Sequence, residues 1–246
     1  MMIEYPTPLV DFQQGVFIVR DDQIPGGTKA RYVAQCFDDC DELVYATPAQ
    51  GGAQIALAIA AKQLGKRVVL FVAKRREWHQ RTEQAQDLGA IVHEIDPGYL
   101  AVVQARAREY AEKKARKVRK LAPFGLRVPA AFTVLPDVCK AVQRRIPQHI
   151  AEVWCSAGSG TLATALSEGF PHADIHAVSV GHKLTQADVG RAKIHVYGKP
   201  FSWTPRKRPP FDADPHYEAK AWELCIKLSD PSKYVLFWNV AGEKMI

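Results

Sequence analysis

A strand, a helix, a glycine and a second strand recur in the same order between residues 43 and 95, and this repeat restricts the fold more than any other feature. The predicted strands are residues 43–46, 68–72 and 91–95. The first intervening helix runs from about Ala53 to Leu64 and ends at Gly65, because glycine readily adopts the left-handed conformation that follows a helix. This alternation predicts an α/β fold with a mainly parallel sheet and helices on both faces.

The rest of the chain continues the alternation. A long basic helix is predicted from about Tyr99 to Leu121. Five prolines between Gly198 and Pro215 predict a loop that wraps the surface. The other predicted elements are a helix at residues 138–145, a strand at 152–155, a helix at 162–168, and strands at 175–180 and 234–238.

Composition places the chain among ordinary globular proteins, with 47% hydrophobic and 24% charged residues in a length of 246. No apolar run approaches the roughly 20 residues of a membrane span. The first residues lack the basic and apolar sections of a signal peptide. We therefore expect no membrane association and a cytoplasmic location, which means the host cytoplasm if the chain is viral.

The cysteines and histidines do not form a recognisable metal pattern. Five cysteines are scattered at positions 36, 40, 139, 155 and 225, an odd number without a Cys-x-x-Cys pair. This arrangement favours reduced, buried thiols over a disulfide framework or a zinc site. The histidines show no helical spacing with a carboxylate partner, so no metal site is predicted.

Positive charge is concentrated in two segments. Residues 106–120 contain eight Lys or Arg against Glu109 and Glu112, a net charge of 8 − 2 = +6. The second cluster combines Lys199 with the run at 206–208. Such a segment is typical of a solvated helix face, but it also suits a polyanion contact, because neutralised phosphates dominate nucleic-acid affinity. The candidate nucleic-acid contacts are Lys113, Lys117, Lys120, Arg206, Lys207 and Arg208.

Two glycine-containing elements carry the chemistry. Lys29 follows Gly26 and Gly27 at the start of a predicted helix. Far downstream, Gly158, Ser159, Gly160 and Thr161 follow a predicted strand and open another helix, where backbone N–H groups can hold a phosphate. Separately, these elements also suit a solvated lysine and an ordinary helix cap. Together, a lysine that can bind a carbonyl covalently and a phosphate cradle point to pyridoxal phosphate.

The sequence resembles the fold type II pyridoxal phosphate enzymes along its whole length, in particular the branch with aminocyclopropane-carboxylate deaminase and D-cysteine desulfhydrase. Besides the two glycine elements, the matching motifs are Thr7-Pro8-Leu9, Arg20-Asp21-Asp22, Gln50-Gly51-Gly52-Ala53-Gln54, Asp214-Pro215-His216-Tyr217-Glu218-Ala219-Lys220-Ala221 and Val235-Leu236-Phe237-Trp238-Asn239-Val240-Ala241-Gly242. The resemblance implies two open, mainly parallel sheets with helices on both faces, in a shortened chain that forms a homodimer. The implied domains are a larger cofactor-binding domain of residues 1–42 and 136–246, and a smaller α/β domain of residues 43–135.

The resemblance also implies roles for individual residues. Lys29 would bind the cofactor and act as the general base, and Tyr217 would lie near the substrate. The glycine loop at 158–161 would hold the cofactor phosphate. Val240 stands where the family places a hydroxyl beside the pyridine nitrogen, and its neighbour Asn239 would replace that contact. The segment from Gln50 to Gln54 would contact the cofactor hydroxyl or the substrate carboxylate. The residues assigned to the substrate are Gln50, Gly51, Gly52 and Gln54.

Three functional hypotheses follow. The first is a pyridoxal phosphate enzyme acting at the α-carbon of a small amino-acid-like substrate, as an isomerase, lyase, deaminase or decarboxylase. The second is the same chemistry on an amino acid group attached to a thymidine base in DNA, as in the hypermodification pathways of some bacterial viruses, because trimming before the last strand would open the active site. The third is a binding protein without catalysis. Asp21 and Asp22 are expected to be a solvated pair at a strand end.

Overall fold

The computed structural model describes residues 3–96, 98–181 and 183–245, which form ten β-strands and eight α-helices. The strands are β1 (Val10–Gln13), β2 (Val16–Arg20), β3 (Glu42–Ala46), β4 (Arg67–Ala73), β5 (Ile91–Ile95), β6 (Arg119–Leu121), β7 (Glu152–Ala157), β8 (Asp174–Ser179), β9 (Lys193–Val196) and β10 (Val235–Asn239). The α-helices are α1 (Ala30–Val33), α2 (Ala53–Leu64), α3 (Gln80–Asp87), α4 (Leu100–Glu112), α5 (Pro129–Gln143), α6 (Thr161–Gly169), α7 (Gln186–Val189) and α8 (Glu218–Leu228).

These residues divide into two compact units. The small unit contains Lys29–Val128 with residues 3 and 4, and the large unit contains Tyr5–Thr28 and residues 129–245. Compared with the division drawn from the sequence, residues 29–42 belong to the small unit because α1 packs on α2. Residues 129–135 belong to the large unit because they form the first half of the continuous helix α5.

The large unit is built on a six-stranded sheet in the order β1-β2-β10-β7-β8-β9, parallel except for the β1–β2 hairpin. Its two faces bury separate apolar cores around Trp238 and around Trp154. The hairpin turn at Gln14 and Gly15, with φ of 53° and 82°, has the positive angles of the two-residue turns that suit a twisted β-ribbon. This hairpin, β9, α7 and α8 were not predicted from the sequence.

The small unit carries a four-stranded parallel sheet in the order β5-β4-β3-β6. Helix α2 ends at Gly65 in the left-handed conformation, as predicted. The predicted long basic helix is wrong, because α4 ends at Glu112 and the chain returns to the sheet as β6. Arg119 of β6 is anchored to the Glu42 carboxylate at 2.5 Å and to the Tyr110 carbonyl at 2.8 Å, contacts that favour the strand.

The structure also bears on the predicted cysteine chemistry. All five cysteines are free thiols and are buried. In the part of the chain that the structure describes, no three His, Cys, Asp or Glu side chains gather into a group that could hold a metal ion.

None of the helices in this part combines the length and apolar character that a membrane crossing requires.

Candidate active site

A glycine loop follows β7 and opens helix α6 in the large unit. Gly160 has φ of 80°, and a Cβ there would overlap the carbonyl oxygen of Asp188, so only glycine fits without a shift of that backbone. The hydroxyls of Ser159 and Thr161 lie 3.2 Å apart beside it. Because α6 is a regular helix of nine residues, its first N–H groups and its positive end are suited to binding an anion.

Thr28, the residue before Lys29, is fixed at the carboxyl end of β10. Its backbone N–H donates to the carbonyl of Val240 at 3.1 Å. Its hydroxyl donates to Asp21 at 2.7 Å and accepts from the Trp238 indole N–H at 3.0 Å. Lys29 therefore continues from an anchored backbone, and its own side chain is half-buried.

The expectation that Asp21 and Asp22 are a solvated pair is wrong. Asp21 is fully buried and also accepts from the Trp238 indole N–H at 3.2 Å. The Asp22 side chain is 2% exposed and binds the Arg20 guanidinium at 2.9 and 2.8 Å. The strand ends at Arg20, and a 3₁₀ turn over Asp21–Gln23 replaces the strand alternation on which the expectation rested.

The anchored Thr28 and the glycine loop lie at the same edge of the six-stranded sheet. Strands β10 and β7 are parallel neighbours, with Trp238 paired to Cys155, and the carboxyl ends of parallel strands share one edge. The next residue, Asn239, ends β10 and pairs with Arg20 of β2. Asn239 is fully buried, and its Nδ2 donates to the Asp212 carbonyl at 2.8 Å. Its Oδ1 is buried and accepts no hydrogen bond from the described residues.

A buried carboxylate that the sequence analysis missed lies at this edge. Glu218 is 2% exposed, begins helix α8 and accepts a hydrogen bond from the Ser156 hydroxyl at 2.6 Å. Only its place directly after Tyr217 in the Asp-Pro-x-Tyr motif could have drawn attention to it. The burial that makes it notable comes from the packing of α8 on β7.

Tyr217 lies against the glycine loop. A Cβ on Gly158 would stand 3.2 Å from Cε1 of the Tyr217 ring, so the absence of a side chain at Gly158 gives the ring its place. The Tyr217 backbone N–H donates to Asp214 Oδ1 at 2.9 Å, and its ring meets Phe201 edge-on at 5.3 Å. The structure thus brings together two of the residues predicted for the site.

The predicted substrate residues follow β3 in the small unit, with Gln50, Gly51 and Gly52 in the loop before α2 and Gln54 in the first turn of that helix. Gln54 is fully buried, its Nε2 donates to the Ala49 carbonyl at 2.7 Å, and its Oε1 accepts no hydrogen bond from the described residues. The Gln50 carbonyl accepts from the Arg81 guanidinium at 2.6 Å. Gly52 caps the amino end of α2. The loop is therefore held from two sides and keeps one buried acceptor available.

Comparison with known proteins gives one family and one fold. The family described as "Pyridoxal-phosphate dependent enzyme" matches residues 1–231. The comparison with curated protein sequences gives no match.

Several solved structures have a similar fold at low sequence identity. An ACC deaminase homologue has a TM-score of 0.81 at 17% identity, over 98% of this chain and 91% of that one. O-ureido-L-serine synthase has a TM-score of 0.74 at 15% identity, over 97% of this chain and 90% of that one. Diaminopropionate ammonia lyase from Escherichia coli, in its apo form, has a TM-score of 0.69 at 16% identity, over 97% of this chain and 83% of that one. At these identities the likeness shows the fold alone. The match over most of the chain shows more: the protein belongs to the pyridoxal-phosphate-dependent enzyme family.

Proposed function

We propose that this pyridoxal-phosphate-dependent enzyme acts at the α-carbon of an amino acid or amino-acid-like substrate, with Lys29 as the residue that binds the cofactor covalently. One observation carries the proposal. Thr28, which positions the backbone of Lys29, and the glycine loop at 158–161 lie at the carboxyl ends of neighbouring parallel strands in one unit. A reactive lysine and a phosphate cradle are the two attachments that this cofactor needs.

The residues at this edge fit the cofactor on structural grounds. The backbone at Gly160 leaves no room for a side chain, and the helix behind it presents N–H donors to a dianion. The orphaned Oδ1 of Asn239 is a buried acceptor without a partner among the described residues, which suits the protonated nitrogen of a pyridine ring. The Glu218 carboxylate, held by Ser156, is a second buried acceptor at the same edge.

When bound, pyridoxal phosphate supplies an electron sink for the electrons of a broken α-carbon bond. The Lys29 amine would accept or return the α-proton at Nζ. Tyr217, packed on the loop at Gly158, positions a hydroxyl for a second proton transfer. The surrounding residues would select which α-carbon bond is broken by orienting the substrate, and isomerase, lyase, deaminase and decarboxylase chemistry are all compatible with them.

The loop from Gln50 to Gln54 is proposed to bind the substrate. The first N–H groups of the 12-residue helix α2 suit a carboxylate. The Oε1 of Gln54 suits a substrate N–H donor, because it is buried and accepts nothing from the described residues. Arg81 keeps the Gln50 backbone in place.

Lys29 is tested by trapping the cofactor. Borohydride reduction of the purified enzyme, followed by peptide mass mapping, should find the phosphopyridoxyl group on Lys29, and Lys29→Ala should lose covalent attachment completely. Lys199→Ala, which removes an exposed lysine, is the control and should be labelled as the wild type is. A label on a lysine other than 29 would contradict the assignment.

A second candidate substrate is an amino acid group attached to a thymidine base in DNA. The observation that favours it is the exposed basic loop after α4, where Lys113, Lys114, Arg116 and Lys117 are all exposed. Arg206, Lys207 and Arg208 are also exposed. Joint replacement of Lys113, Lys117 and Lys120 by Gln should then reduce the slope of log affinity against log salt concentration by about 0.9 for each lost contact to duplex phosphate. Unchanged salt dependence would leave the loop as a solvated surface.

We further propose, from the family resemblance, that the protein works as a cytoplasmic homodimer. Light scattering of the purified enzyme measures the mass directly, and a monomer mass would refute the dimer. Fractionation of producing cells would test the location.

A further inference from the structure

The carboxyl edge of the four-stranded sheet carries a second feature. All four strands of the small unit are parallel, so the loops after β3, β4 and β5 lie at one edge. The loop after β3 contains the proposed substrate residues. The loop after β4 begins with Lys74, Arg75 and Arg76, and the loop after β5 leads to Tyr99. We call Lys74, Arg75, Arg76 and Tyr99 the basic rim.

The cations of the basic rim are almost unpaired. All three are exposed. Lys74 has an ion pair with Asp96 at 3.8 Å, with the two side chains 60% and 72% exposed, and such a pair contributes little. Neither Arg75 nor Arg76 has an ion pair with any residue that the structure describes. Glu77 follows them, so residues 74–77 carry a net charge of 3 − 1 = +2. The rim therefore offers exposed charge to an external anion.

Tyr99 adds an exposed aromatic ring to the neighbouring loop. It is 76% exposed, the largest exposed fraction among the large hydrophobic residues of the described chain. Its neighbour Gly98 packs so closely on Ala73 that a Cβ would stand 2.8 Å from the Ala73 Cβ. The Lys74 N–H also donates to the Ile95 carbonyl at 2.9 Å. The loops that carry Tyr99 and the basic residues are thus joined at their bases.

The basic rim is also joined to the proposed substrate loop. Arg81, in the first turn of α3 just beyond the rim, donates to the Gln50 carbonyl at 2.6 Å. The basic loop after α4 lies instead at the amino edge of the same sheet, where the Asp41 N–H donates to the Lys117 carbonyl at 3.2 Å. The two edges are separated by the length of a strand, about 16 Å for five residues.

We propose that the basic rim binds single-stranded nucleic acid beside the substrate loop. Cations that follow the phosphates and an exposed ring on which a base can stack are the two parts of a single-strand binding surface. The inference rests on the proposed function only where it concerns a substrate carried by DNA. It also goes further, because it names the surface that presents the strand and the strandedness that the surface prefers.

Fluorescence anisotropy of the holoenzyme with a labelled single-stranded thymidine-rich oligonucleotide tests the rim. We expect binding that weakens with salt, and joint replacement of Lys74, Arg75 and Arg76 by Gln should reduce the log–log slope by about two, since each lost phosphate contact on a single strand is worth about 0.7. The control replaces Lys140, Arg144 and Lys227, three exposed cations of the large unit, by Gln. An equal reduction of the slope in both variants would show that the oligonucleotide is attracted by net charge alone, and would overturn the proposal.

Stacking is tested separately at Tyr99. Tyr99→Ala should weaken single-strand binding by at least about fivefold, and Tyr99→Trp should retain it, because stacking of one base on an aromatic ring is worth about that much or more. A duplex of the same sequence should bind more weakly to the wild type. Absence of single-strand binding, or no effect of Tyr99→Ala, would overturn the proposal. Mapping of the borohydride label in the same preparation tests the proposed function separately from binding at the basic rim, since Lys29 labelling does not depend on oligonucleotide binding.

Discussion

Polar groups are held differently at the carboxyl edge of the large unit's sheet and at the basic rim of the small unit. In the large unit, Asp21, Thr28, Glu218 and Asn239 are almost completely buried and most of their polar atoms have short, defined partners. In the small unit, the basic rim is exposed and its one ion pair is 3.8 Å long. The first edge suits a ligand that must be oriented to within a fraction of an ångström, and the second suits a partner recognised mainly by charge.

The difference teaches where each kind of binding free energy comes from. Buried polar groups cannot reorganise cheaply, because each lost hydrogen bond leaves a desolvated partner. They therefore suit the fixed geometry that a covalently bound cofactor would require. Exposed cations lose little free energy when a partner leaves, because water solvates them again. Their attraction for an anion weakens as salt screens the charges. Perturbations of buried contacts should thus act on stability and cofactor binding, whereas salt should act on the rim.

A fall in pH should produce the largest loss of stability, and it should act through a buried histidine of the large unit. The His176 and His195 rings both stack on Trp154, with ring centroids at 4.2 and 4.8 Å, and His176 Nδ1 lies 2.9 Å from His195 Nε2. Burial lowers the pKa of His176 to about 4, against the opposing attraction of Glu152, while His195 and Lys193 lower it further. The unfolded chain, with an ordinary pKa near 6.5, therefore binds more protons between pH 6.5 and 4, and the free energy of unfolding should fall as pH falls through that window, by about 3 kcal/mol.

Urea unfolding at several pH values measures this loss. His176→Phe is the control, because it keeps a ring on Trp154 without a titrating group and should remove most of the pH dependence in this window. A wild-type stability that stays constant from pH 6.5 to 4 would contradict the argument.

Removal of the Thr28 hydroxyl should have the next largest effect. Thr28→Val leaves the buried Asp21 carboxylate without one donor and the Trp238 indole without one acceptor, so we expect a loss of about 2 kcal/mol in the free energy of unfolding. Cofactor affinity should fall as well, because Thr28 precedes Lys29. Thr28→Ser keeps the hydroxyl and should recover most of both. If Thr28→Val and Thr28→Ser behave alike in denaturant unfolding and cofactor titration, the network does not position Lys29.

A negative charge in the glycine loop should have the smallest effect on the fold and a clear one on the cofactor. Ser159→Asp adds a carboxylate near the amino end of α6, which favours the helix but repels a phosphate. We expect cofactor affinity to fall about tenfold or more, with stability unchanged or slightly raised. Ser159→Asn, of similar shape and neutral, should bind the cofactor nearly as the wild type does. Substitution of Gly160 would be a poorer test, since its overlap with Asp188 disturbs the fold itself.

Local sequence determined much of the architecture. The helix over Ala53–Leu64 matches its prediction because an apolar, alanine-rich run is followed by a glycine that adopts φ of 64°. Strand β5 matches because its β-branched residues lie between turn signals. The position of the glycine loop between β7 and α6 was also predictable, since small residues and a missing Cβ are local properties.

Only the tertiary structure decided which polar residues are buried together. Asp21 and Trp238 are 217 residues apart, and Ser156 and Glu218 are 62 apart, so no local pattern could join them. The basic segment after Glu112 had the periodicity of a helix but became a turn and a strand, because Arg119 pairs with Glu42, 77 residues away. Periodicity records how a segment can bury its own apolar side chains, whereas contacts between distant segments depend on the folded chain and override it.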